Sequence, residues 1–265
     1  MIYTCYDMVR DCRADRPEGW SHFLANYVPV IRKILGHYVP AGAGEGLLER
    51  VLIALRQPQS SLFASPDPAP ERWFVAELRQ KALAEAEALE PGSQPEIAID
   101  LETLGAALEP LTVVEKQTVW LETMRYPPQP TGTLLRMEPR TAEKIRDKAA
   151  ELIRSKVDAW RRTLLPDNGA QLGRAAAEAS TKECLPAKAF LDVLDGRTTW
   201  RGREEMERHV SGCWHCIDHF CRMVEVVELL RGAQPLPPLE VERYRKLLGV
   251  EGEKRPAWKR LFGGA

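Results

Sequence analysis

Nowhere in this sequence of 265 residues is there a run approaching the ~18 uninterrupted apolar residues of a membrane span, so no membrane partner is expected. The opening stretch MIYTCYDMVRDC sets acids among its apolar residues and has no continuous apolar centre, so it does not read as a secretory leader. Neither sign of charge prevails: 37 Lys and Arg face 38 Asp and Glu, and any nucleic-acid signal therefore has to be local. Signatures of catalysis are missing as well. AGAGEG at 41–46 lacks the preceding strand and the Lys-Ser/Thr of a phosphate-cradling loop, nothing resembles HExxH, and no nucleophile–base pair stands out. The expectation is a protein that is not an enzyme. Cysteines are few, six in all. In a cytoplasmic chain, the simplest reading here, they are thiols or metal ligands rather than disulfides.

What is present is helical periodicity nearly everywhere, without convincing strand alternation, and the predicted fold is all-α. A hydrophobic content of 44% lets each of two or three small domains bury a core. Proline-rich stretches punctuate the pattern: SPDPAP (65–70), PGSQP (91–95), YPPQP (126–130) and QPLPP (234–238). A first domain, 1–92, is expected to hold helices near 2–13, 18–38, 45–57 and 71–90. A second, 97–164, carries a capping box in Thr112 and Glu115, followed by a face of Val113, Trp120, Leu121 and Met124. Then come a short helix in TGTLLRM, a turn at EPR, and a longer helix whose stripe is Ala142, Ile145, Ala149, Leu152, Ile153 and Val157. This is the helix-turn-helix layout. Residues 166–182 read as a flexible linker, 183–231 as a third domain, and 232–265 as a flexible tail. In that tail Trp258, Leu261 and Phe262, with Lys259 and Arg260, could dock on a partner.

The local charge signal sits in the second domain. From Arg125 to Arg162 ten basic residues oppose five acidic ones, a net charge of +5. Arg140, Lys144 and Lys148 are four apart and share one row away from the apolar stripe. Such a row can meet phosphates at a DNA groove. The alternative is a solvated face laced with ion pairs, because Glu143 and Asp147 are interleaved.

The densest chemistry is HVSGCWHC, from His209 to Cys216. His209 and Cys213 are one helical turn apart, and the CxxC of Cys213 and Cys216 lets two thiolates converge on one ion. Tetrahedral zinc then lacks one ligand. Cys184, at the head of the short helix in CLPAKAFLDVLDG, can supply it, with His219 and Cys221 as alternatives. A closed four-ligand shell is structural rather than hydrolytic, because it leaves no position for an activated water.

At these residues the chain resembles a known family. CLPAKAFLDVLDGRTTWRGREEMERHVSGCWHCIDHFCRMVEVVELL looks like the zinc-binding anti-sigma domain, a small helical fold that clasps bacterial sigma factors. The resemblance implies Zn²⁺ held by Cys184, His209, Cys213 and Cys216. The region from EPLTVVEKQTVWLETM to TAEKIRDKAAELIR is similar to the promoter-reading C-terminal domain of extracytoplasmic-function sigma factors, and the first domain resembles their polymerase-gripping N-terminal domain. By this resemblance Arg140, Thr141, Lys144, Arg146 and Lys148, with Arg136 at the turn, approach the upstream element of promoter DNA, and Trp73 lies in the strand-capturing helix. RNA polymerase core is the implied partner, together with an intramolecular contact between the sigma-like and anti-sigma-like parts. The clamp helix of the family corresponds to EGLLERVLIAL, which departs from it at Arg50; the strand-capturing helix becomes KALAEAEALE, poor in aromatics. These departures bear on promoter melting more than on fold. A chain of this kind is expected either to regulate transcription under its own zinc module or to act as a zinc-stabilised adaptor that binds a sigma factor or polymerase without reading DNA.

Overall fold

The computed structural model describes residues 3–39, 44–64, 70–89, 99–156 and 169–250. Among them are thirteen α-helices, one 3₁₀ turn and no strand, so the fold is all-α. None of these helices is long and apolar enough to cross a membrane. The chain forms two compact units, Met1–Gly92 with Leu229–Ala265, and Ser93–Glu228.

The first unit opens with α1 (Cys5–Arg13), α2 (Pro17–Tyr38), α3 (Gly44–Arg56) and α4 (Glu71–Leu89), close to the expected spans. Thr4 and Asp7 cap α1 reciprocally. Trp20, Phe23 and Tyr27 fall on one face of α2, and their rings meet Phe63 and Phe74 at centroid separations of 5.0–6.4 Å. Such edge-on aromatic pairs add about 0.5–1.5 kcal/mol each beyond the area they bury. Pro29 lies inside α2. Having no N–H, it cannot donate to Ala25 four residues earlier, so that carbonyl is left without its helical partner.

The second unit begins with α5 (Leu101–Ala107), α6 (Val113–Thr123), α7 (Pro128–Leu135) and α8 (Pro139–Arg154). The Thr112–Glu115 capping box starts α6 as expected. YPPQP, read as a break, instead opens α7: Pro128 occupies its first turn, where a missing N–H costs no helical bond. Between α7 and α8 the chain turns within three residues, with Arg136 left-handed at φ 56°. A Cβ on Gly132 would lie 2.8 Å from the Met137 carbonyl, so this close return requires glycine. Ala142, Ile145, Ala149 and Ile153 of the α8 stripe are buried and Leu152 is half-buried. Val157 lies outside the described residues.

Next come α9 (Gly169–Glu178), α10 (Ala187–Leu194), α11 (Trp200–Val210) and α12 (Trp214–Arg231). The expectation of a flexible linker over 166–182 is corrected by α9, which packs on α5 and α6. Its alanines favour helix, and Leu172 and Ala176 are buried. A second difference is larger. Segments 97–164 and 183–231, read as separate domains, fall in one compact unit as far as Glu228, residues 229–231 belonging to the first unit. Their joint core is polar as well as apolar. Trp120 Nε1 donates to Asp218 at 3.0 Å, and Arg222 pairs with the same carboxylate at 2.7 Å. The Tyr126 hydroxyl donates to Glu225 at 2.7 Å. Buried carboxylates are costly unless bonded in this way.

The first unit is completed by α13 (Pro238–Leu247). This corrects the flexible-tail expectation for 238–247: α13 packs on α2 and α3, anchored by Tyr244, which is fully buried. The stretch carrying Trp258, Lys259, Arg260, Leu261 and Phe262 lies outside the described residues.

Candidate metal centre

Three turns deliver the cluster. Cys184 precedes α10, whose end is closed by Asp195 and by Gly196 at φ 71°, the left-handed position glycine favours. His209 sits in the last turn of α11. Cys213 and Cys216 flank Trp214, the first residue of α12. His209 and Cys213, four residues apart, stand on either side of the break between α11 and α12 at Ser211–Gly212. Ser211 keeps a right-handed helical conformation, and Cys213 N–H bonds back to Val210, so the two side chains still converge.

One ligand atom from each of Cys184, His209, Cys213 and Cys216 lies within 4.8 Å of every other, and this Cys₃His cluster could hold a metal ion. The sulfurs of Cys184 and Cys213 are 3.7 Å apart, far beyond a disulfide bond. The Nε2 atom of His209 is buried without a hydrogen-bond partner, the condition of a polar atom meant for something else. Leu185 N–H points at Cys216 Sγ at 3.4 Å, and Thr181 N–H at Cys184 Sγ at 3.2 Å. Burial raises the Cys184 thiol, but the Thr181 amide and hydroxyl and the neighbouring Cys213 and His209 outweigh it and bring it down to about 6. Cys216 goes the other way: burial, with the two neighbouring sulfurs, lifts it to about 12. A bound cation would reverse that, because a coordinating thiol is held deprotonated.

The alternative fourth ligands lie elsewhere. Cys221 is fully buried with Sγ 3.7 Å from the Gln117 carbonyl, and His219 rests on the Phe190 ring at 5.3 Å. Cys5 and Cys12 belong to α1.

Residues the sequence reading missed hold the cluster in place. Lys116, on α6, is buried and donates to the Ser211 carbonyl at 2.7 Å, which pins the turn between His209 and Cys213. Trp214 stacks on Trp120 at 5.2 Å. Gly105 admits the Trp214 indole: a Cβ there would stand 3.0 Å from its nitrogen. A lysine and a tryptophan on the apolar side of one helix were the only sequence signal for this.

The residues implied as DNA contacts do not share one environment. Arg140, Thr141 and Lys144 are exposed on α8, and Arg136 is exposed at the turn. Lys148 is half-exposed but bonds to Glu115 at 2.7 Å. Arg146 instead lines a cavity of about 380 Å³ with Thr118, Glu122, Tyr126 and Ala142, where burial raises the Glu122 carboxyl. Trp73 is 43% exposed on α4.

The fold and cluster define an all-helical protein with a Cys₃His site able to take a metal ion. Comparison with known proteins adds no identity: no family model, no curated protein and no solved structure matches the chain.

Proposed function

We propose that the chain is a sigma-factor-like transcription regulator that binds RNA polymerase core and promoter DNA and carries a zinc-binding anti-sigma-like module in cis. The observation that carries this reading is α8. Its apolar stripe is buried while Arg140 and Lys144, one turn apart, stand exposed on the opposite face. A helix held by its back in this way after a tight turn can enter a major groove and meet phosphates with such a row. Lys148, partly neutralised by Glu115, adds less to it.

Zinc is the metal the donors favour. Thiolate and imidazole ligands suit it, and two thiolates on one tetrahedral zinc, each bonded at ~2.3 Å, stand about 3.8 Å apart. Cys184 and Cys213 match that spacing at 3.7 Å. Zinc would cross-link the chain before α10 to the α11–α12 turn and supply folding energy there. Because α12 bonds to α6 and the α8 row stays exposed, the module braces the reading helix rather than covering it. A non-DNA-binding adaptor is the second reading, favoured by α4, where Trp73 is followed by alanines and glutamates.

Run-off transcription with polymerase core tests the choice. Specific transcripts that disappear in Arg140→Glu/Lys144→Glu support the regulator. Polymerase or sigma-factor binding without transcripts selects the adaptor, and binding to none of polymerase, promoter and sigma factor sinks both.

A further inference from the structure

Residues of α6, α7 and α8 and of the bend before α7 line a cavity of about 380 Å³ that neither the metal cluster nor the exposed α8 row uses. Cavities of this size suit small molecules. Pro127, Pro128 and Ala142 give it an apolar wall. The hydroxyls around it are spent within the protein. Thr118 donates to the Val114 carbonyl at 2.9 Å, Thr131 to the Tyr126 carbonyl at 3.2 Å, and Tyr126 to Glu225 at 2.7 Å.

Two charged groups are left over. Among the described residues the Glu122 carboxyl has neither a hydrogen bond nor an ion pair. Arg146 meets Asp147 at 3.4 Å, which leaves most of the guanidinium N–H donors over. Burial raises the Glu122 carboxyl and the charge of Arg146 works against that, yet no ion pair closes between them. A carboxylate taken from water costs free energy until a donor or cation meets it, and a guanidinium receives a carboxylate through paired N–H groups. A simple amine would leave Arg146 unused, and a simple carboxylic acid would set a second anion beside Glu122. We propose that this cavity binds a zwitterionic α-amino acid with an apolar side chain, its ammonium on Glu122, its carboxylate on Arg146 and its side chain against the prolines and Ala142. The site stands without the transcription reading. If both hold, the ligand touches the helix that carries Arg140 and Lys144.

Calorimetric titration of the full-length, zinc-loaded chain with L-leucine and L-phenylalanine tests this. Two analogues of the latter accompany it: 2-phenylethylamine, which lacks the carboxylate, and 3-phenylpropanoate, which lacks the ammonium. Glu122→Gln and Arg146→Gln are read with the same ligands; neither side chain belongs to the buried core, so the fold is expected to persist. One saturable site for an amino acid in the wild type, weakened about tenfold or more by each substitution, supports the inference. The amine should then respond only to Glu122→Gln and the acid only to Arg146→Gln. Amide exchange slowed by the amino acid within 118–146 places it in the cavity. No binding of either amino acid at about 10 mM overturns the inference. So does an affinity that either substitution leaves unchanged, or slowed exchange confined to residues outside 118–146. Should a variant fail to fold, the wild type decides alone: L-phenylalanine about tenfold tighter than both analogues supports the site, and an analogue that binds as tightly sinks it.

Discussion

Trp120 and Asp218 meet at 3.0 Å between α6 and α12, with only 1% and 5% of their surfaces reaching solvent. The carboxylate tolerates burial because the indole N–H donates to it and the Arg222 guanidinium pairs with its charge. Asp218→Ala leaves the indole N–H without its acceptor and Arg222 without its counter-charge. Loss of a hydrogen bond to a charged group, with its partner left buried, costs about 2–3 kcal/mol. Denaturant unfolding should show that loss, with α6 and α12 losing protection together. Separate transitions for 99–156 and 183–228 would contradict a common core.

Metal removal should act on the same core. Purified protein is expected to hold one zinc per chain, and Cys213→Ser/Cys216→Ser to hold none. Because Lys116 and Trp214 couple the cluster to α6, the metal-free protein should exchange amide hydrogens faster along α6 as well as along 183–228. Elemental analysis and exchange mass spectrometry read both. Acceleration confined to 183–213 would mean the metal stabilises only its own loop.

If α8 reads DNA, its cations are not equivalent. Arg140→Glu/Lys144→Glu should weaken promoter binding and lower the slope of log affinity against log salt by about 2. Lys148→Glu should act mainly on stability, since it sets two acids together in place of the Lys148–Glu115 pair. Binding measured across a salt series distinguishes these effects.

Glu115 gives a pH signature. The Lys148 bond, with the Thr112 amide and hydroxyl, outweighs burial and holds its carboxyl below the usual range. A carboxyl lowered by folding stabilises the fold above its unfolded value of about 4.3, and that contribution fades as pH falls through the folded value. The stability gap between wild type and Glu115→Gln should be constant from pH 7 to about 5 and shrink in more acid solution. Urea titrations at several pH values measure it; a gap that widens towards low pH would reverse the assignment.

The legible parts of this molecule are those whose pattern is local. Capping at Thr112, the α8 stripe and the close-spaced His209, Cys213 and Cys216 all encode their geometry within a few turns. Cys184 was harder to place, since only the packing of α10 brings it near. α9 and α13 were misread for one reason. The few buried residues of each stretch, Leu172 and Ala176 or Tyr244 and Leu248, find their cover on helices distant in sequence. Composition then reads as linker or tail.

The matched pairs between α6 and α12 also bear on how such a chain can be recombined. Moved onto a foreign helical bundle, residues 183–228 would carry Asp218 and Glu225 against a surface with no indole or phenol to receive them. The transplant would have to bring Lys116, Trp120 and Tyr126 along. The inheritable piece is therefore the whole of 93–228, and the two halves are expected to vary together rather than be shuffled.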